Sequence, residues 1–163
     1  MPDLAARLAR LEAIVAIQHV MFRYAECVDQ ARFEELGALF RHGSLGAVGA
    51  EPMRGAPAIR DFYAATNKVH ADGTLRTRHL ATNAIIEVAP DSTRATARSY
   101  FVVLQETPTL PLQAIVAGRY HDVFAVVAGE WAFTERLIHV DQVGDMSSHL
   151  SFDLRRDPIP KIG

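Results

Sequence analysis

The chain has 163 residues, 49% of them apolar, enough for one domain with a full core and a modest ligand cavity and too few for a second domain. Its 17 basic against 19 acidic residues leave no global positive field to draw in a phosphate backbone, so nucleic acid is not an expected partner. No apolar run approaches membrane-spanning length, Arg7, Arg10 and Glu12 interrupt the first apolar stretch where a signal peptide would be uniform, and Cys27 stands alone; the expectation is a cytoplasmic protein with no membrane partner and no internal disulfide.

Asp3 is placed to cap a helix, and Leu4, Leu8, Leu11, Ile14, Ile17, Met21, Tyr24 and Val28 recur at spacings of three and four, which predicts one long amphipathic helix to about Asp29. Phe33, Leu36, Leu39 and Phe40 predict a short second helix that stops at Arg41-His42-Gly43. Ser44 to Val48 reads as a short strand and Glu51 to Gly55 as a turn. Pro57, Ile59, Phe62 and Tyr63 then predict a third helix ending near His70.

From Leu75 the period changes from helical to alternating. Turn signals at Ala89-Pro90-Asp91-Ser92, Thr107-Pro108 and Gly129-Glu130 separate four strand-like segments, 75 to 88, 93 to 106, 112 to 127 and 131 to 143, joined closely enough for an antiparallel meander. Helices first and strands after predict an α+β fold, one bent sheet with the helices packed on it. Residues 1–145 form the expected single domain, and residues 146–163, with Pro158 and Pro160, a tail that wraps it or is partly disordered.

Strict alternation places Thr77, His79, Ala81, Asn83 and Ile85 on one face, so that His79 and Asn83 share a surface. His79 reads either as a half-buried sheet histidine satisfied by a neighbour or, given a carboxylate partner, as a base. Asp29 is a candidate partner because a carboxylate at a helix C-terminus faces the negative end of the dipole; it equally suits the N-cap of the second helix. Paired with His79, it would fix the imidazole tautomer and make a general base near neutral pH. Tyr24 shares the inward face of the long helix, as a core aromatic or as a phenol that donates to substrate. Val116, Gly118, Tyr120, Asp122 and Phe124 alternate, and Gly118 selects that row as a cavity wall. In the last strand Trp131, Phe133 and Leu137 fall on one face and Thr134, Arg136, Ile138 and Val140 on the other. Arg136 reads as a sheet-covering arginine or as a cavity cation for a carboxylate or developing enolate. The glycines at 43, 46 and 49 do not make a dinucleotide fingerprint, and the seven histidines show no compact ligand pair, so no metal site is expected.

The ordered series "YAECVD" at Tyr24 to Asp29, "FEELGALF" at Phe33 to Phe40, "TRHLATN" at Thr77 to Asn83, "AGRY" at Ala117 to Tyr120 and "WAFTERLI" at Trp131 to Ile138 resembles the SnoaL-like, scytalone dehydratase-type branch of the nuclear-transport-factor-like superfamily, over roughly residues 5 to 145. The resemblance implies a highly curved, antiparallel or mixed sheet closed by three N-terminal helices into a cone around a cavity. It implies that Asp29 orients His79 as the base. Members like the bile-acid dehydratases carry a tyrosine and a late arginine that match Tyr24 and Arg136. Val28 stands where the scytalone dehydratase pattern has a tyrosine, and Gly118 and Tyr120 replace polar strand residues, so a scytalone-like substrate does not carry over.

The function expected is a cofactor-independent lyase of dehydratase type. His79, Asp29 and Tyr24 would be catalytic, and Asn83, Arg136, Tyr120 and Gly118 would contact a small hydrophobic ring substrate. An isomerase or polyketide cyclase would form the same enolate, and a non-catalytic ligand binder or dioxygenase small-subunit-like module could use the same fold. The resemblance also implies a homodimer or homotrimer associating through the outer sheet.

Overall fold

Asp3 caps the first helix, its carboxylate accepting from the Ala6 amide at 2.8 Å. This is a computed structural model that describes residues 3–157 and 159–160. Helix α1 spans Leu4–Asp29 and buries Ala13, Ile17, Met21, Tyr24, Cys27 and Val28. The single apolar face expected for it divides in two: Leu4, Leu8, Leu11, Val15 and Phe22 are exposed on the opposite side. The spacing drifts around the cylinder, because only the second half of the helix lies on the body.

Helix α2 (Phe33–Leu39) buries Leu36 and Gly37, and α3 (Gly55–Thr66) buries Ile59, Tyr63 and Thr66. Gly37 lets the two touch, since a Cβ there would lie 2.5 Å from the carbonyl oxygen of Ala56. Helix α3 stops at Thr66, earlier than the His70 boundary predicted. Asn67 turns extended, with φ −95° and ψ 138°, and pairs with Leu150.

Six strands form one mixed sheet in the order β2-β1-β6-β5-β4-β3: β1 Ser44–Ala47, β2 Met53–Arg54, β3 Thr77–Val88, β4 Arg94–Thr107, β5 Leu110–Val127 and β6 Glu130–Val143. The last four make the antiparallel meander expected from their short links. Strand β1 runs parallel to β6, and β2, read from sequence as part of a turn, pairs with β1. This is the α+β cone of three helices on a curved sheet that the sequence predicts. Among the described residues no helix is long and apolar enough to cross a membrane.

The sheet's inner face carries the core. Phe101 stacks on Tyr120, with centroids 4.5 Å apart, and Phe133 stacks on Phe40 at 4.7 Å. Two bulges set which residues reach this face. Between Thr82 and Ile85 the pairing of β3 with β4 shifts, and Asn83 sits there in the left-handed region at φ 54°. Beyond it, the half-buried residues are Ile86 and Val88, where strict alternation had Ile85 inward. Between Val123 and Phe124 a second shift leaves Thr134 as the extra residue on β6, so Phe133 and Arg136, assigned to opposite faces by alternation, both point inward.

The tail folds back over the open end of the cone. Gly144 N–H bonds the Ile115 carbonyl at 2.7 Å, and Met146 and His149 are buried. Gln105 Nε2 donates to the carbonyls of Leu75 and Ser148, while His70 Nε2 and Lys68 Nζ hold the carbonyls of Ser148 and Ser147. Pro158 and residues 161–163 lie outside the described residues.

At Gly118 a Cβ would collide with the backbone carbonyl of His139 and the ring of Phe101, neither of which can yield cheaply. Gly118→Ala is therefore expected to destabilise the chain by about 1–3 kcal/mol in urea unfolding.

Candidate active site

Asp29 ends α1 with its carboxylate turned toward β3 and buried. Thr77 Oγ1 donates to Oδ1 at 2.7 Å, the His79 amide to Oδ2 at 3.0 Å, and His79 Nδ1 to Oδ1 at 2.6 Å. The Leu75 amide bonds the Asp29 carbonyl at 3.0 Å, fixing the helix end against the strand start. The alternative role, capping α2, is unfilled: that helix begins at Arg32 without a side-chain cap. Burial opposes ionisation of Asp29, but the hydrogen bonds from His79 and Thr77 outweigh it and hold the carboxyl below its ordinary range. Because Nδ1 is held by the carboxylate, Nε2 is the nitrogen that His79 can offer to a ligand.

His79 lines a half-open pocket of about 140 Å³ with Tyr24, Tyr63, Tyr120, Phe101, Val103 and Ile138. Its far wall is the tail, through Met146, His149, Leu150, Phe152 and Leu154. An apolar cavity of about 150 Å³ accepts benzene, so this one fits a single ring. A larger depression of about 1120 Å³ adjoins it, sharing seven lining residues that include Met53, Phe62, Ile138, Val140 and Leu154, but lacks His79 and the tyrosines.

The three tyrosines form a connected tier. Tyr24 and Tyr63 hydroxyls are 2.7 Å apart, and the Tyr24 ring meets Tyr120 edge-on at 6.0 Å. Burial raises the pKa of all three phenols, so they stay protonated donors at neutral pH. Behind them lies Arg136, 1% exposed, bound bidentately to Asp122 at 2.8 and 2.7 Å. Its guanidinium carbon sits 4.2 Å from the Tyr24 ring centroid and 4.0 Å from that of Tyr120.

The candidate residues thus divide. Asp29, His79, Tyr24 and Tyr120 converge. Arg136 is not a wall residue of the cavity: its charge is taken by Asp122, and the tyrosine rings cover it. Gly118 lies on the inner face but serves close backbone packing and does not line the cavity. Asn83 does not share a surface with His79. The bulge turns it outward into a separate groove with Arg98, Tyr100 and His121.

Sequence reading missed His149. Its ring centroid lies 6.0 Å from that of His79, and Nδ1 is buried without a hydrogen-bond partner. Its signal is weak, a histidine between Met146 and Leu150 in a segment with no periodicity. Tyr63 was read only as a helix-face residue. Among the described residues no group of three or more His, Cys, Asp or Glu side chains converges as a metal site would need.

Burial, with the nearby His79, pushes the His149 pKa down to about 3. The unfolded chain takes up a proton at this side chain below about pH 6.5 and the folded chain does not, so stability falls as pH drops through that window. The loss is expected to reach up to about 1.4 kcal/mol per pH unit in urea unfolding, and His149→Phe should flatten the slope above about pH 4. The Asp29 contribution is separate, being lost only below the ordinary carboxylate pKa of about 4. A second substitution probes the tier: Arg136→Met strands the buried Asp122 carboxylate and should cost about 3–5 kcal/mol by the same measurement.

Comparison with known proteins locates this arrangement. Residues 9–137 match the family model of the SnoaL-like domain. A variant of Rv3472, a protein of unknown function from Mycobacterium tuberculosis, is 28% identical and superposes with a TM-score of 0.70 over 82% of this chain and 75% of that one. An NTF2-like protein with a cystatin-like fold from Novosphingobium aromaticivorans is 25% identical, with a TM-score of 0.72 over 91% and 96% of the two chains. ActVI-ORFA of Streptomyces coelicolor, at 18% identity and TM-score 0.64 over 80% and 98%, shares the fold. No match was found among curated proteins. With four-fifths of its length matched, helices and sheet included, the chain belongs to the SnoaL-like domain family.

Proposed function

We propose that the protein is a cofactor-independent lyase that dehydrates a small cyclic β-hydroxy ketone. The observation that carries this reading is the Asp29–His79 hydrogen bond at 2.6 Å beside a ring-sized apolar cavity. Nε2 of His79 removes the proton from the carbon next to the carbonyl. Asp29 holds the tautomer and stabilises the imidazolium that forms. Charge moves to the carbonyl oxygen, where Tyr24, a protonated phenol backed by Tyr63 and the Arg136 charge, donates a hydrogen bond. The β carbon–oxygen bond then breaks as the enolate re-forms the carbonyl and a carbon–carbon double bond. The imidazolium returns its proton to the departing hydroxyl, so water leaves and His79 ends neutral. Acid and base are one residue, and the cycle closes without a net proton change.

The space beside His79, about 140 Å³, matches one ring of a substrate, and the rest of a larger molecule would extend into the adjoining depression. The site offers no fixed cation directly to the ligand. Recognition therefore rests on apolar contact and a few polar groups, as in most small-molecule sites.

The test is incubation with a panel of cyclic β-hydroxy ketones in D2O, following enone absorbance and deuterium at the α carbon. A lyase gives enone, and His79→Gln or Asp29→Asn should lower that rate about 10²- to 10⁴-fold while leaving the fold intact by circular dichroism. Deuterium uptake without loss of water would replace the lyase with an isomerase, and neither signal from any ketone that binds would make the cavity a binding site only. Wild-type rates in His79→Gln would remove the imidazole from the chemistry.

A further inference from the structure

The exposed side of α1 has an order that the active site does not use. Leu4, Leu8, Leu11 and Val15 follow one another at intervals of four, three and four, and Phe22 continues the stripe one heptad after Val15. They fill alternating d and a positions of a heptad, with Gln18 the single polar member. At 100° per residue the stripe lies on the side of the helix opposite Ala13, Ile17, Met21 and Tyr24, which face the body. Residues 3–12 are exposed on every side, so the first turns of α1 stand free of the domain. In the same heptad frame Arg7 falls at g and Glu12 at e, five residues on. That is the offset at which g of one strand meets e of the other in a parallel pair. Both are exposed, and neither forms an ion pair within the chain among the described residues.

We propose that two copies of this chain associate through the N-terminal half of α1 as a short parallel coiled coil, with Leu4, Leu8, Leu11 and Val15 in the seam and Arg7 of each copy facing Glu12 of the other. The occupant follows from charge. A membrane-binding helix flanks its apolar stripe with basic residues, whereas here one basic and one acidic residue flank it at self-complementary offset. Burying four apolar side chains per copy supplies the driving force. The seam is short, about two heptads. Its helix is already formed, however, because the second half of α1 is docked on the sheet, so association does not bear the cost of nucleating it. The stripe faces away from the domain, which leaves both bodies outside the seam. It is a different surface from the outer sheet face that family resemblance nominates.

Sedimentation equilibrium on the full chain should give twice the 18.0 kDa of one copy. Leu8→Asp with Leu11→Asp should lower the association constant at least about a hundredfold, since each places an unpaired carboxylate in the seam. Circular dichroism should show the domain still folded. Arg7→Glu alone should weaken the dimer, and Arg7→Glu with Glu12→Arg should restore it. Under mild oxidation, Leu4→Cys and Val15→Cys should each give a covalent dimer, and Ala6→Cys, on the opposite side, should not. A monomeric or trimeric wild type overturns the proposal, as does a dimer undiminished by the two aspartates. Cross-linking at Leu4 or at Val15 but not both overturns the parallel register.

Discussion

Three hydrogen bonds onto one carboxylate join the two halves of this fold. Asp29 closes α1, and Thr77 and His79 open β3, so a contact spanning about fifty positions pins the helix end to the strand start. A carboxylate at a helix C-terminus is unfavourable by itself. Here its donors come from the sheet, and the Leu75 amide satisfies the last helical carbonyl from the same direction. Two of the donors are structural and one is the imidazole, so the bonds that set the helix against the sheet also set the ring's tautomer. Geometry of the fold and readiness of the base are one arrangement.

The tyrosine tier depends on a second pair in the same way. Arg136 and Asp122 neutralise one another beneath Tyr24 and Tyr120, and the guanidinium touches both ring faces. A buried ion pair carries a desolvation cost that its mutual attraction offsets only when the geometry is good, which the bidentate contact supplies. The pair presents no charge directly to the cavity. Burial pushes the pKa of Tyr24 and Tyr120 up and the guanidinium beneath them pulls it down; burial prevails, so both remain protonated hydrogen-bond donors.

Periodicity made the helices, the four long strands and their antiparallel order legible, because each depends on a local repeat and on turn residues. It could not place residues across a bulge. Asn83 and Arg136 were both assigned to faces by counting in twos, and each lies at or beyond an inserted residue that resets the count: Asn83 in the left-handed region, Thr134 opposite the Val123–Phe124 step. Local sequence left Asp29 between a cap and a partner, since both roles ask for the same carboxylate at the same helix end. The choice is made by Thr77 and His79, which are distant in sequence. His149 left no pattern, because a residue held by backbone contacts from Lys68 and Met146 needs no repeat of its own.

The tail's position has a consequence for how the cavity comes into being. Met146, His149 and Leu150 are synthesised after every strand, yet they form one wall of the space that His79 faces. A sheet complete through β6, with the helices on it, therefore lacks that wall of the pocket. Enclosure waits for Ser147 and Ser148 to surrender their carbonyls to Lys68, His70 and Gln105. Those latches are few and polar, and that of Lys68 is exposed, the kind of contact that opens locally at lower free energy than the body unfolds. Opening at these latches would widen access to the imidazole without disturbing the helices or the sheet.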